Sequence, residues 1–165
     1  MKNFRLGLTF AMGAIALQTP LAVTAAPLTS TLDQSCWQTL NDVKAQIGEV
    51  VDQPNFLTSA FRVSADYPNP PSDRPLGLVL GVGGRQPGMN NPSYWQVRNF
   101  MSSPMLQISL ATQLMNQCQN VSAVKFGMLA TDWGLQYGVV NSKVVPFTPI
   151  SPPCRNLRWG QYCQP

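Results

Sequence analysis

The sequence contains no histidine among its 165 residues, and charged side chains make up only 11% of it. Without an imidazole group, the Ser-His-Asp and Cys-His arrangements of nucleophilic hydrolases are excluded. Glutamate occurs once, at Glu49, so acid–base chemistry would depend almost entirely on aspartates. No C-x-x-C pair is present, and four unevenly spaced cysteines are a poor match to zinc-finger patterns. We therefore predict neither a metal site nor a cofactor.

Basic residues are too few and too scattered to form a nucleic-acid surface. The formal net charge of +4 falls to +2 once Lys2 and Arg5 are removed with the N-terminal segment described next. Nucleic-acid binding requires several phosphate contacts from one face of a protein. The only close basic pair is Arg155 with Arg158, so we predict no nucleic-acid partner.

The first residues have the three-part layout of a secretory signal peptide. Residues 1–5 are cationic, residues 6–17 form an uncharged apolar run, and residues 18–26 are small and polar. The apolar run is shorter than the ~20 residues that span a bilayer. We predict cleavage after Ala25, a secreted or periplasmic location, and no membrane span after signal removal. A buried helix of the mature fold is the alternative interpretation.

Cys36, Cys118, Cys154 and Cys163 are an even set in an exported chain, which indicates two disulfides with three possible connectivities. We favour Cys36–Cys118, because both lie on predicted helices that can pack together, and Cys154–Cys163, because the two are close in sequence. In the loop-entropy model the long bridge stabilises the fold by about 4–5 kcal/mol and the short one by about 2–3 kcal/mol. Those energies are comparable with the whole stability of a small domain.

Three helices are predicted from caps and apolar spacing. Ser30-Thr-Leu-Asp33 fits a capping box, and the apolar stripe that follows recurs at steps of three or four. Its members are Leu32, Cys36, Leu40, Val43, Ile47 and Val50. Asn91-Pro92 and Ser103-Pro104 each place an N-cap residue before a proline, which predicts helices through Phe100 and to about Gln117.

Alternating apolar residues predict a strand over residues 61–65, and a mostly apolar run of strand length predicts another over 76–82. A three-stranded meander that ends at Phe147 follows. Four prolines make residues 67–75 a loop. We predict an α+β fold, an antiparallel sheet of about five strands with two to three helices on one face, stapled by disulfides. The organisation is a signal peptide over residues 1–25, a single domain over 26–153 and a disulfide-closed C-terminal tail over 154–165.

Two short motifs match catalytic or nucleotide-binding templates poorly. In GLVLGVGGRQPG, residues 77–88, Gln86 stands where a dinucleotide fingerprint needs glycine, and no lysine follows as a P-loop requires. Ser122-Ala-Val-Lys125 matches S-x-x-K, but in a strand these two residues point to opposite faces. We interpret the first motif as a strand end with a turn and the second as a chance match, so no catalytic residue is assigned.

Aromatic residues beside loops give the best indication of function. We predict that Trp95, Trp133 and Tyr137 bind a ligand through an exposed patch that stacks on sugars or contacts a protein. Buried rings at the junction of loops and core are the structural alternative. The leading hypothesis is an exported, non-enzymatic domain that binds cell-envelope material, carbohydrate or another protein.

Two further hypotheses come from other classes of protein. A small secreted hydrolase would need two carboxylates in one cleft, and its candidates are Asp66, Asp73 and Asp132, each of which also fits an ordinary loop residue. A secreted inhibitor would present the proline-rich segment 67–75 as a rigid, protruding loop.

Overall fold

The computed structural model describes residues 32–84 and 92–164 as a mixed five-stranded sheet with helices packed on one face. The predicted signal peptide, Ser30, residues 85–88 of the glycine-rich stretch and the predicted N-cap Asn91 lie outside the described residues. In chain order the elements are α1 (Gln34–Gly48), β1 (Asn55–Arg62), α2 (Val63–Asp66), β2 (Leu76–Gly83), α3 (Pro92–Met101), α4 (Pro104–Gln117), β3 (Val121–Met128), β4 (Gly134–Val140), β5 (Lys143–Pro146), β6 (Thr148–Ile150) and β7 (Gln161–Cys163). Within those residues, no helix combines the length and apolar composition that crossing a bilayer requires.

The strands of the main sheet lie in chain order, β1-β2-β3-β4-β5. Three of the four neighbouring pairs are antiparallel, and β2 runs parallel to β3. A parallel pair needs a long crossover connection, which α3 and α4 provide. The predicted α+β fold, with an antiparallel sheet of about five strands and the β3-β4-β5 meander, is confirmed. One pair, β2 with β3, is parallel, because the two helices return the chain to the same end of the sheet.

The first strand begins earlier in the chain than the alternation predicts. β1 covers Asn55–Arg62 and pairs with β2 along its whole length. Residues Val63–Asp66 form a single helical turn instead of continuing the strand. The Val63 N–H donates to the Pro75 carbonyl at 3.0 Å, and the Tyr67 N–H donates to the Val63 carbonyl at 3.0 Å. These bonds direct the chain away from the sheet just where the apolar alternation appeared to extend it.

Asp33 determines where α1 begins. Its Oδ1 accepts the Cys36 N–H at 2.7 Å, which makes it the N-cap residue. That hydrogen bond holds the pKa of the Asp33 carboxyl below its usual range, because it favours the charged form. The helix ends at Gly48, so the predicted apolar stripe stops at Ile47: Val50 is 46% exposed, and Val51 takes the buried position.

The main hydrophobic core lies between α1, α3 and α4 and one face of the sheet. That face carries Leu78, Leu80, Val124, Phe126 and Tyr137, none more than 2% exposed. The predicted Cys36–Cys118 disulfide is confirmed and crosses this core, joining the first turn of α1 to the residue that ends α4, with a Cα–Cα distance of 4.7 Å. The disulfide therefore links α1 to the end of α4 covalently within the core.

The C-terminal tail covers part of the opposite sheet face. A second, smaller apolar cluster forms there from Val63, Tyr67, Ala123, Phe147 and Tyr162. The Trp159 ring lies 5.0 Å from the Phe147 ring and 5.1 Å from the Tyr67 ring, and its Nε1 donates to the Val139 carbonyl at 2.8 Å. The predicted Cys154–Cys163 disulfide is confirmed, and β6 pairs with β7 beside it. The tail is a packed part of the fold.

The two disulfides should respond differently to a reductant in the folded protein. Cys36 and Cys118 are fully buried, whereas Cys154 and Cys163 are partly exposed, and thiol–disulfide exchange requires access to a sulfur atom. Mild dithiothreitol, followed by alkylation and peptide mapping, should label Cys154 and Cys163 first. Equal labelling of all four cysteines, while circular dichroism still reports the native fold, would contradict this expectation.

Two glycines on the tail side of the sheet offer a matched test of its packing. At Gly138 a β-carbon would overlap the Phe147 ring, which is 4% exposed; at Gly127 the nearest atom to a β-carbon would be the Trp133 carbonyl oxygen, at 3.9 Å. We expect Gly138→Ala to lower the free energy of unfolding by about 1–3 kcal/mol. Gly127→Ala should leave it unchanged or raise it by up to about 1 kcal/mol. Urea denaturation measures both, and equal losses would refute the packing argument.

Candidate binding clefts

The structure does not bring Trp95, Trp133 and Tyr137 together as an exposed patch. Tyr137 is 2% exposed in the main core, and its hydroxyl donates to Gln107 Oε1 at 3.1 Å. Burial raises the pKa of Tyr137. Trp133 is half-buried against the same core. Of the three, only Trp95 presents a largely exposed ring, at 47%.

The exposed Trp95 ring has partners from its own helix, α3. The Arg98 guanidinium lies over it, 5.1 Å from the ring centroid, which is a cation–π contact. Tyr94 meets it edge-on with centroids 5.5 Å apart. A single ring with these neighbours is an ordinary surface feature, and the three predicted residues do not form one exposed patch.

A polar cleft of about 630 Å³ opens where α1 begins and α4 ends. We call it the polar cleft; its lining residues are Asp33, Asp73, Arg74, Asn116, Gln119 and Asn120. Asp33 precedes Cys36 by one helical turn, and the three amides flank Cys118 in the chain. The Cys36–Cys118 disulfide thus brings two walls of the cleft together.

Arg74 enters the polar cleft from the loop before β2 and is held by backbone atoms. Its Nη1 donates to the Met115 carbonyl at 2.7 Å and to the Val121 carbonyl at 3.4 Å. The Met115 carbonyl belongs to the last turn of α4, where helix geometry leaves carbonyls without partners. A guanidinium carries five N–H groups, and in the part of the chain that the structure describes Nε and Nη2 make no hydrogen bond. Nη1 therefore holds the guanidinium in place, and Nε and Nη2, which no described residue uses, are available to donate to a ligand.

The charges of the polar cleft are mixed. Asp33 and Asp73 supply two carboxylates, Arg74 one guanidinium, and the three amides supply both donors and acceptors. The Asp33 Oδ1 is already occupied by the Cys36 N–H and the Ser35 hydroxyl. Such a lining suits groups that donate and accept hydrogen bonds at once, as hydroxyl groups do.

A second cleft, of about 270 Å³, lies on the opposite sheet face beside the C-terminal tail. We call it the tail cleft. The register places Val79, Lys125 and Gln136 side by side on β2, β3 and β4, where they form its floor. Asp66, Phe61 and Leu157 also line it.

Tyr67 supports the wall of the tail cleft. Its hydroxyl donates to the Gln161 carbonyl at 2.8 Å and accepts from Gln136 Nε2 at 2.9 Å. Burial raises the pKa of Tyr67 to about 12, so the hydroxyl stays protonated at physiological pH. Because one bond is to Gln161 in the tail and the other is to Gln136 on β4, the Tyr67 hydroxyl joins the tail to the sheet.

The three candidate catalytic aspartates do not share a cleft. Asp73 lines the polar cleft, Asp66 lines the tail cleft, and Asp132 is exposed in the turn before β4. The S-x-x-K residues also stand apart: Ser122 is fully buried and its hydroxyl donates to the Leu76 carbonyl at 3.3 Å, while Lys125 lines the tail cleft on the other face. The interpretation of that motif as a chance match agrees with this placement.

Sequence reasoning missed most of the polar cleft. Asp33 was predicted as part of a helix cap, but its position beside Asp73 depends on the tertiary fold. Arg74 was hidden inside a proline-rich loop. The sequence feature that could have indicated the cleft is the segment 116–120, N-Q-C-Q-N, which clusters amides around a disulfide cysteine at a helix end.

Within residues 32–84 and 92–164, no group of three or more cysteine, aspartate or glutamate residues is placed to hold a metal ion. No protein-family model matches the chain, and neither a curated protein nor a solved structure was found to be similar to it.

The Asp33 helix cap should make the free energy of unfolding depend on pH. Because the folded-state pKa lies below the usual value of 3.8, the cap contributes stability above that pH and loses it as the pH falls through the folded pKa. We expect Asp33→Ala to lower the urea midpoint at pH 7, with the difference from wild type shrinking below pH 3.8. The exposed helix residue Asp42, replaced by alanine, is the control. A difference for Asp33→Ala that stays constant down to pH 2 would contradict the proposed cap.

Proposed function

We propose that this chain is an exported binding domain and that its polar cleft holds a neutral, hydroxyl-rich ligand of the carbohydrate class. The observation that carries the proposal is Arg74, anchored on the Met115 carbonyl with its Nε and Nη2 donors unused by the described residues. A donor group fixed in advance loses little entropy when it binds.

The mixed charge of the cleft favours a neutral ligand. An anion would bind to Arg74 but lie beside Asp33 and Asp73, and a cation would meet the guanidinium. Sugar hydroxyls can accept from Arg74 and donate to a carboxylate in the same pose. The volume of about 630 Å³ lies within the ~300–1,000 Å³ typical of small-molecule sites.

Export is supported by two independent features. The first 26 residues have the composition of a secretory signal peptide, and both disulfides are of a kind that persists in oxidising compartments. Outside the cytoplasm, cell-envelope polysaccharides would supply such a ligand.

The test is isothermal titration with neutral cello-, chito- and malto-oligosaccharides, with an oligogalacturonate as the charged comparison. Gln119→Ala removes an amide from the cleft, and Gln117→Ala removes an exposed amide of the same helix end that does not line it. We expect Gln119→Ala to weaken binding about 3- to 10-fold, as the loss of one hydrogen bond does, and Gln117→Ala to bind like wild type.

Arg74→Lys should weaken binding at least tenfold, because lysine keeps the charge but not the planar fork. Arg62→Lys, on the exposed edge of β1, is its control. No binding by any oligosaccharide, or equal binding by the Gln119 and Gln117 variants, would refute the proposal.

A hydrolase remains the second candidate, because Asp33 and Asp73 line the same cleft. The helix cap makes Asp33 unsuitable as the general acid, because that role needs a raised pKa and the Cys36 N–H lowers the pKa of Asp33; Asp73 would have to be the acid. Slow release of reducing ends from a bound oligosaccharide, abolished by Asp73→Asn, would establish the enzyme and displace the binding proposal.

A further inference from the structure

Two opposite charges line the tail cleft without pairing. Lys125 is half-buried on the central strand β3, and Asp66 is exposed at the rim, on α2. Within the described residues, no ion pair with an N···O distance of 4.0 Å or less involves either of them. The charged atoms of Lys125 and Asp66 are therefore more than 4.0 Å apart, and neither is neutralised by an ion pair among the described residues.

The floor adds a directional polar group. Gln136 is 5% exposed, and its Nε2 is committed to the Tyr67 hydroxyl at 2.9 Å. Its Oε1 accepts no hydrogen bond from the described residues. Since a carbonyl oxygen accepts from an ammonium group, Gln136, which lies beside Lys125 on the floor, gives the cleft an acceptor for a cationic group of a ligand.

The remaining lining consists of apolar residues together with Tyr67, Tyr162 and the disulfide-bonded Cys163. Phe61, Val79 and Leu157 line the same cleft, and they give an aliphatic group a surface on which to pack. The volume of about 270 Å³ is slightly below the ~300 Å³ at which drug-sized sites begin. The size therefore suits a ligand with roughly the dimensions of one amino acid.

We propose that the tail cleft binds a free α-amino acid with an aliphatic side chain. Its carboxylate pairs with Lys125, its ammonium group pairs with Asp66 and Gln136 Oε1, and its side chain packs against Phe61, Val79 and Leu157. A simple anion would leave Asp66 unmatched, and a simple cation would leave Lys125 unmatched. A zwitterion satisfies both. This site is independent of the polar cleft, so either proposal can fail alone.

The test uses three probes on the full exported chain, followed by ¹⁵N-¹H NMR titration. L-leucine carries both charges, 4-methylpentanoate lacks the ammonium group, and 3-methylbutylamine lacks the carboxylate. Because a hydrogen bond to a charged group contributes a factor of about 10 or more to affinity, leucine should bind at least tenfold more tightly than either analogue. The shifted amides should belong to the neighbours of Lys125 and Gln136.

Charge-removing variants assign each end of the ligand. Lys125→Met should weaken leucine at least tenfold and abolish binding of 4-methylpentanoate, without changing the affinity for 3-methylbutylamine. Asp66→Asn should weaken leucine binding at least tenfold and abolish binding of 3-methylbutylamine, without changing the affinity for 4-methylpentanoate. Lys143→Met and Asp132→Asn, both exposed and outside the cleft, should match wild type. If Lys125→Met does not fold, the three probes on wild type still decide.

Several results would overturn the assignment. They are no amide shift at 20 mM leucine, equal affinities for leucine and both analogues, or undiminished leucine binding by a folded Lys125→Met variant. Leucine binding that is lost in Gln119→Ala would place the ligand in the polar cleft instead. Oligosaccharide binding that survives in Lys125→Met separates this result from the proposed carbohydrate function.

Discussion

The covalent link between Cys36 and Cys118 sets the position of the whole helical layer. The bridge spans 82 residues of sequence, so in the loop-entropy model it removes about 4–5 kcal/mol of disorder from the unfolded chain. Structurally it fixes the start of α1 against the end of α4, and α4 lies on β3. Asp33, one turn before Cys36, and the amides on either side of Cys118 are thereby held around Arg74. A bond buried in the core thus determines the geometry of a cleft at the surface.

The other face of the sheet is built differently. Glycines on β2 and β4 leave room for aromatic rings: Phe61 lies over Gly77, and Phe147 lies over Gly138. Those rings meet Tyr67 and the tail in the smaller apolar cluster. Because that packing covers only one end of the sheet, the central row of Val79, Lys125 and Gln136 stays accessible at its edge. The tail cleft is the boundary between the covered and open parts of this face.

The local rules of sequence predicted much of this architecture. Proline at the first helical position predicted α3 and α4, a continuous apolar run predicted β2, alternation and a turn predicted β3 to β5, and cysteine spacing with helical faces predicted both disulfides. The failures share one cause, which is that local patterns contain no information on tertiary contacts. Nothing in residues 61–65 shows that Pro75 accepts the Val63 N–H, and nothing in the helix–helix segment shows that it returns to a parallel strand. Tyr137 looked like a loop-side aromatic but is drawn into the core, where Gln107 satisfies its hydroxyl.

The scarcity of charge explains why the clefts, and not the aromatic rings, are the candidates for recognition. A chain with 11% charged residues has few surface ion pairs to form, and its amides and hydroxyls carry the polar contacts instead. Arg74 and Lys125 lie near backbone carbonyls or amide side chains. Within the described residues, neither forms an ion pair with a carboxylate. Folding has already removed each of these charged groups partly from water. A ligand that supplies the missing partner atoms therefore lowers the free energy of the charged group most. We therefore expect each cleft to select a ligand by the partner atoms that the cleft lacks: hydroxyl oxygens beside Arg74, and a carboxylate beside Lys125.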